Sequence, residues 1–257
     1  MGKTTLALNI AINIAKNGIP VGFFSFEMKD KQIIWKILSR ELGETVGSIR
    51  AGALDQSKWD LLGNNFGKLK NIPFYMNDKG FMTTTEMKAV IKTWKAKHGI
   101  EAVFIDYLQL IGASKEARGQ NREAIVSGNT RDIKSMAMEC NIPIALLCQL
   151  SRQGANVEPE LHHLRESGAI EQDADNVIFI HMDEELTDRE YPGWVEGDPE
   201  WIIKLMLKKG RLINKGNRLM ILNGAHNNFR SLEFKNDLKP ISYNNIRNFS
   251  EPNENTF

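Results

Sequence analysis

The sequence predicts an α/β fold: a mostly parallel central sheet flanked by helices, with antiparallel strands at its C-terminal edge. Three observations carry that expectation. Segments of helical period alternate with short apolar runs as far as about residue 182. The runs "PVGFFSFEM", "EAVFIDYLQLIG", "IPIALLCQLSR" and "NVIFIHM" are apolar at successive positions, so neither side chain face suits water and the strands must be covered on both sides. From about residue 201 the grammar changes, and "WIIKLMLKKGR", "NRLMILNG" and "NNFRSLEF" follow one another across short Gly/Asn turns, as hairpins do.

Each element has its own signal. Residues 4–17 repeat Leu6, Ile10, Ala11 and Ile14 on one helical face, and Gly18 stops the helix. "KDKQIIWKILSREL" returns to helical period after the first strand, a further helical stretch lies near 55–70, and "IPFYMND" is a short strand. Thr83 and Glu86 have capping-box spacing ahead of "MKAVIKTWKAKHG", which Gly99 closes. A polar loop after "YLQLIG" leads to the helix "REAIVSGNTRDIKSMAMECN". The segment "DEELTDREYPGWVEGDPE" carries eight carboxylates and one arginine and reads as a solvated insertion. These elements divide the chain into a domain over 1–235 and a polar, Asn-rich, flexible tail over 236–257.

Bulk composition narrows the function class. The chain has 257 residues, 42% hydrophobic and 25% charged, which is globular, and its net charge is only +1. Any polyanion site must therefore be a local patch. Cys140 and Cys148 sit in apolar contexts without C-x-x-C spacing and read as reduced thiols. No run reaches the ~18 apolar residues of a membrane span, and the N-terminus lacks a secretory pattern. A cytoplasmic location is the expectation.

The chain opens on "MGKTTLALNI", in which Gly2-Lys3-Thr4 before a helix has the form of the second half of a phosphate loop. Such a loop cradles phosphates with backbone N–H groups, reaches the β- and γ-phosphates with its lysine, and holds Mg²⁺ with its hydroxyl. The leading strand and first glycine are not in the sequence, so the site reads as one cut short; an ordinary amphipathic helix beginning GKT is the alternative. Downstream, Asp106 ends an apolar strand where an acid would serve the magnesium shell, although a strand-end aspartate also caps turns. Glu27 closes "GFFSFEM" at the same carboxyl edge, where open α/β sheets bind ligands and where it could activate water, or else simply start a surface helix. Gln149 ends "IALLCQ" and could sense a γ-phosphate. His162-His163 lacks a third ligand at suitable spacing for a metal.

"FFSFEM", "VFIDYLQLI", "CQLSR" and above all "LRESGAIEQDADNVIFI" resemble the ATPase domain of the DnaB-type hexameric replicative helicases, in motif order from residue 1 to about 234. The resemblance implies a RecA-like P-loop core using ATP and Mg²⁺. It implies that Gly2, Lys3, Thr4 and Thr5 hold the nucleotide, with Thr4 and Asp106 serving the metal. Glu27 would be the catalytic carboxylate and Gln149 the γ-phosphate-linked residue. Arg165, Glu166 and Gly168 match the family's loop that grips the backbone of single-stranded DNA, a sequence-independent contact. Lys209-Gly210-Arg211 matches a K-x-R reaching a neighbouring subunit's site, with Arg211 as arginine finger; a basic hairpin edge is the other reading. "LINKG" follows where the family tends to have an Asn-Gly-Pro-type turn. The family implies a homo-hexamer moving 5′ to 3′ on single-stranded DNA, with primase and a helicase loader as partners. A recombinase or clock-type ATPase on the same core is an alternative that "RESGAIEQDAD" opposes, and a non-enzymatic DNA-binding ring subunit is another.

Overall fold

A computed structural model of the chain describes residues 2–112, 121–150, 157–164, 168–182 and 200–232. The acidic segment before Glu200 and the C-terminal tail lie outside the described residues, as do Arg165 and Glu166. The elements run α1 (Lys3–Lys16), β1 (Val21–Ser25), α2 (Asp30–Leu42), α3 (Val46–Ala51), α4 (Gln56–Lys70), β2 (Phe74–Asn77), α5 (Thr84–His98), β3 (Ala102–Asp106), α6 (Arg122–Cys140), β4 (Ile144–Leu146), α7 (Gly168–Asp173), β5 (Asn176–Met182), β6 (Glu200–Gly210), β7 (Gly216–Asn223) and β8 (Asn228–Ser231). Among the described residues no helix is long and apolar enough to cross a membrane.

Two four-stranded sheets result. One is parallel in the order β2-β1-β3-β4, with Ser25 opposite Asp106 at its carboxyl edge; the other is antiparallel in the order β5-β6-β7-β8. The apolar strands explain the layering. Val21, Phe23, Ala102 and Phe104 face α1, packing with Ala7, Leu8, Ala11 and Ala15. Their neighbours Phe24, Val103 and Ile105 point the other way, into a core with Met87, Ile91, Ile133 and Met136 of α5 and α6. Period-two alternation thus fills both faces of the sheet. Val177, Phe179 and Met206 of the antiparallel sheet belong to that same core.

Four sequence expectations are corrected in detail. The strand around Asp106 stops at that residue, and Leu108–Leu110 is a 3₁₀ turn with Leu108 fully buried. β4 ends at Leu146, because Leu147 N–H still donates to Ile105 O but Leu147 O accepts from Leu108 N–H, beyond the end of β3. Gln149 is therefore in the following loop, not at a strand end. β5 pairs along its length with β6, so the antiparallel unit begins before residue 201. In α1 the buried face is Ala7, Leu8, Ala11, Ile12 and Ala15, while Ile10 is 43% exposed. That helix is covered on two sides, by the parallel sheet and by the β7–β8 hairpin, so a single apolar stripe underdescribes it.

Local signals account for the boundaries of the central helices. Thr83 Oγ1 accepts from Glu86 N–H while Glu86 receives Thr83 N–H, the reciprocal cap its spacing predicts, and Gly99 closes α5 in the left-handed conformation. Asn121 caps α6 through Ala124 N–H, and Asn141 ends it at φ 47°. Cys140 is buried and Cys148 half-buried, both as free thiols.

Candidate nucleotide site

The site lies where α1 starts, at the carboxyl edge of β1 and β3. Gly2 occupies the N-cap position at φ 94°, a conformation natural to glycine, and makes no side-chain cap bond. The first-turn N–H groups of Lys3, Thr4 and Thr5 thus carry the helix's positive end without a side-chain acceptor from the cap, the arrangement that suits an anion. α1 is 14 residues long, and it has no acidic residue in its first turn to compete for that role.

Thr4 and Asp106 are brought together across 102 positions: Thr4 Oγ1 donates to Asp106 Oδ2 at 2.7 Å. Asp106 is 1% exposed, and burial is the main influence raising its pKa above the ordinary carboxylate value. The Thr4 hydroxyl opposes that rise, the Glu27 charge adds to it, and Lys3 and Lys36 oppose it. Lys3, Thr4, Glu27 and Asp106 therefore form one electrostatic group. A buried carboxylate beside a hydroxyl, with burial disfavouring its charge, is a hard-oxygen donor pair that fits Mg²⁺.

Glu27 is exposed, just past the end of β1. Its position is fixed from beneath. Ser25, fully buried, donates through Oγ to Met28 O at 2.6 Å and accepts from Met28 N–H at 3.2 Å, closing the turn that carries Glu27. Phe26 N–H donates to Asp106 O at 2.9 Å, binding that turn to the strand bearing the acid. Gln149 has a similar support: Gln109 Nε2 donates to Gln149 O and Gln109 Oε1 accepts from Gln149 N–H, at 3.2 and 3.3 Å. Sequence reasoning missed Ser25 and Gln109, both of which lie inside quoted motifs but act through backbone contacts that spacing does not reveal.

A second polar cluster backs α1. Asn9, 4% exposed, donates to Thr5 O and to Asn227 O and accepts from Phe229 N–H. Asn227 sits at φ 52° in the β7–β8 turn, and its Oδ1 accepts from Lys36 Nζ at 2.6 Å. Burial pulls the Lys36 pKa below the ordinary lysine value, while the Asp106 charge pushes it back up.

Lys209 and Arg211 are away from these residues, at the end of β6. Lys209 Nζ donates to Glu171 O and Gln172 O at 2.5 and 3.2 Å, at the C-terminal end of α7. Arg211 Nη1 lies 2.9 Å from Asp175 Oδ1, with its side chain 57% exposed. Between them Gly210 permits a close approach, since a Cβ there would stand 2.4 Å from Ile213 O. Of the expected DNA-contacting residues only Gly168 is described, exposed at the start of α7. His163 Nδ1 accepts from Glu160 N–H at 2.9 Å.

A parallel sheet with a strand-end acid hydrogen-bonded to a GKT helix defines the class of P-loop nucleotide-binding α/β proteins. Comparison with known proteins gives the family. The model of the DnaB-like helicase C-terminal domain matches residues 1–231, and the chain belongs to that family. The replicative DNA helicase DnaB of Rickettsia bellii (strain RML369-C) is 33% identical over 271 residues, covering 93% of this chain and 53% of that protein. A solved DnaB-like replicative helicase, described with its interactions with primase, superposes at TM-score 0.80 with 30% identity over 91% of this chain and 55% of that one. A second solved structure, an ATPase domain, does so at 0.79 and 30%, over 90% of this chain and 81% of that one. A KaiC-like protein from Pyrococcus horikoshii OT3 shares the fold alone, at TM-score 0.53 and 14% identity over 90% and 84% of the two chains. The fold is thus the RecA-like ATPase core, and the chain spans about half the length of the curated relatives it matches.

Proposed function

We propose that this chain is the ATP-hydrolysing motor domain of a replicative DNA helicase, which moves 5′ to 3′ on single-stranded DNA as a homo-hexamer and so unwinds duplex. The observation that carries the reading is the Thr4–Asp106 hydrogen bond at 2.7 Å, which sets the first turn of the GKT helix against a buried strand-end acid beside Glu27. Residues 1–235 form the motor and 236–257 a polar tail. The family match and the free thiols support a cytoplasmic setting, and the primase named with one structural relative supports a primase partner, with a loader alongside.

In this reading Gly2, Lys3, Thr4 and Thr5 bind the triphosphate, through first-turn N–H groups and the Lys3 ammonium. Thr4 and Asp106 would hold Mg²⁺, which when bound neutralises charge on the β- and γ-phosphate oxygens. Glu27 orients a water and takes its proton as that oxygen attacks the γ-phosphorus; the bond to the β-γ bridging oxygen breaks and ADP leaves. Gln149, on the loop that Gln109 secures, reports the γ-phosphate to the chain beyond it. Arg211 and Lys209 serve the site of a neighbouring copy, where an arginine supplied in trans is worth ~10³–10⁵ in rate in P-loop GTPases. Arg165, Glu166 and Gly168 hold the DNA backbone.

The test is ATP hydrolysis by the full-length protein with and without single-stranded DNA, beside Glu27→Gln. DNA-stimulated hydrolysis that falls about 10²–10⁴-fold in Glu27→Gln, together with strand displacement on a forked substrate, is the expected result. Hydrolysis without strand displacement would favour a recombinase-type or clock-type machine. Absence of hydrolysis would favour a non-enzymatic DNA-binding ring.

A further inference from the structure

The β5–β6 register places Asn176 opposite Gly210, so the residue before β5 lies beside the residue after β6. These are Asp175 and Arg211, and they meet twice: Arg211 N–H donates to Asp175 O at 2.9 Å, and Arg211 Nη1 stands 2.9 Å from Asp175 Oδ1. The other carboxylate oxygen, Oδ2, accepts from Lys134 Nζ of α6 at 2.5 Å. Two residues earlier on β6, Lys209 is tied to the backbone at the end of α7. Resting on the reading of Arg211 as the arginine supplied to a neighbouring site, we propose that Asp175 is a positioning residue for that arginine.

Three features make positioning the role, rather than simple cohesion. An exposed ion pair adds little stability, and both side chains here are about half exposed. The contact instead fixes direction, because one residue holds both the backbone root and the guanidinium of Arg211. A catalytic cation aimed in advance costs no reorganisation when charge develops. Lys134 supplies the third feature. It takes up one carboxylate oxygen, so the trio of Lys134, Asp175 and Arg211 keeps a net positive charge, and Asp175 can orient Arg211 without cancelling it. Lys134 is itself held by α6, whose Ile133 and Met136 are buried in the main core.

The experiment is steady-state ATP hydrolysis by the full-length protein with single-stranded DNA, comparing Asp175→Asn, Asp175→Glu, Lys134→Met, Arg211→Ala and the double variant Asp175→Asn/Arg211→Ala. Asp175→Asn is expected to lower kcat about tenfold with KM for ATP unchanged, the scale of losing one charge-assisted contact that aims a catalytic group. Asp175→Glu should recover part of that loss. In the Arg211→Ala background Asp175→Asn should add nothing, since a positioning residue without its target has no work. Lys134→Met should also lower kcat, and this arm stands if Asp175→Asn fails to assemble. Wild-type kcat in both Asp175→Asn and Lys134→Met, or an equal loss with and without Arg211, would overturn the proposal. Wild-type hydrolysis by Arg211→Ala would instead sink the trans-acting reading on which it rests.

Discussion

Asp106 is buried in a place that disfavours its charged form. Its folded-state pKa lies above that of the unfolded chain, so the folded chain holds more protons between the two values. On this account stability is greatest below the unfolded value, about 3.9, declines as pH rises towards the folded value, and stays at the reduced level above it. Asp106→Asn keeps an oxygen for the Thr4 hydroxyl and removes the buried ionisable group. It is expected to raise the melting temperature of the nucleotide-free chain at neutral pH by a few degrees while weakening Mg²⁺-dependent nucleotide binding, checked by thermal melts with and without Mg-ATP. Ser25 makes the opposite case. Ser25→Ala leaves both backbone groups of Met28 short of a partner, at about 1–3 kcal/mol. It also loosens the turn under Glu27, so kcat in the full-length protein should drop about tenfold with little change in KM. Glu27 and Asp106 could be found in the sequence because each ends an apolar run. Ser25, Gln109 and Asp175 could not, because a hydroxyl, an amide or a carboxylate acting on distant backbone or on another strand leaves no periodic trace.

At the scale of elements, what could be read in the sequence was what is local. The Thr83/Glu86 cap and the Gly99 stop of α5 are contacts within four residues, and both occur as their spacing predicts. Three of the four parallel strands, β1, β3 and β4, followed from apolar runs, whereas the fourth such run, "NVIFIHM", is β5 and antiparallel. What failed were the limits and faces set by distant partners: β4 stops at Leu146 because its ladder partner turns at Asp106, and α1 buries a face that depends on a hairpin more than 200 residues away. The polar clasp between α1 and that hairpin is one such distant determinant. Asn9→Ala would strand Asn227 O and Phe229 N–H inside the protein. Denaturant unfolding should show a loss of about 2–6 kcal/mol, the sum for two buried groups left without partners. Asn9→Asp should not rescue it, since a carboxylate can receive Phe229 N–H but cannot donate to Asn227 O.

Among the described residues the strands form two sheets that share one core, without pairing between β4 and β5. β4 and β5 are each the outer strand of their own sheet among the described residues, and β5 shows Ile178 at 59% exposure. Open strand edges with apolar side chains invite pairing with other chains. Ile178→Lys is therefore expected to reduce self-association of this 257-residue chain at high concentration without altering its fold, read by light scattering alongside circular dichroism. Unchanged scattering would show that this edge is not the sticky one.

The clasp behind α1 also turns one backbone proton into a gauge. The amide of Phe229, on β8, is shielded because it points at Asn9 Oδ1 in the helix that begins with Gly2-Lys3-Thr4. Its exchange with solvent deuterium requires α1 and the hairpin to part. A nucleotide gripping the first turn of that helix should slow the exchange, so occupancy at the front of the sheet becomes measurable from a strand that never touches the ligand.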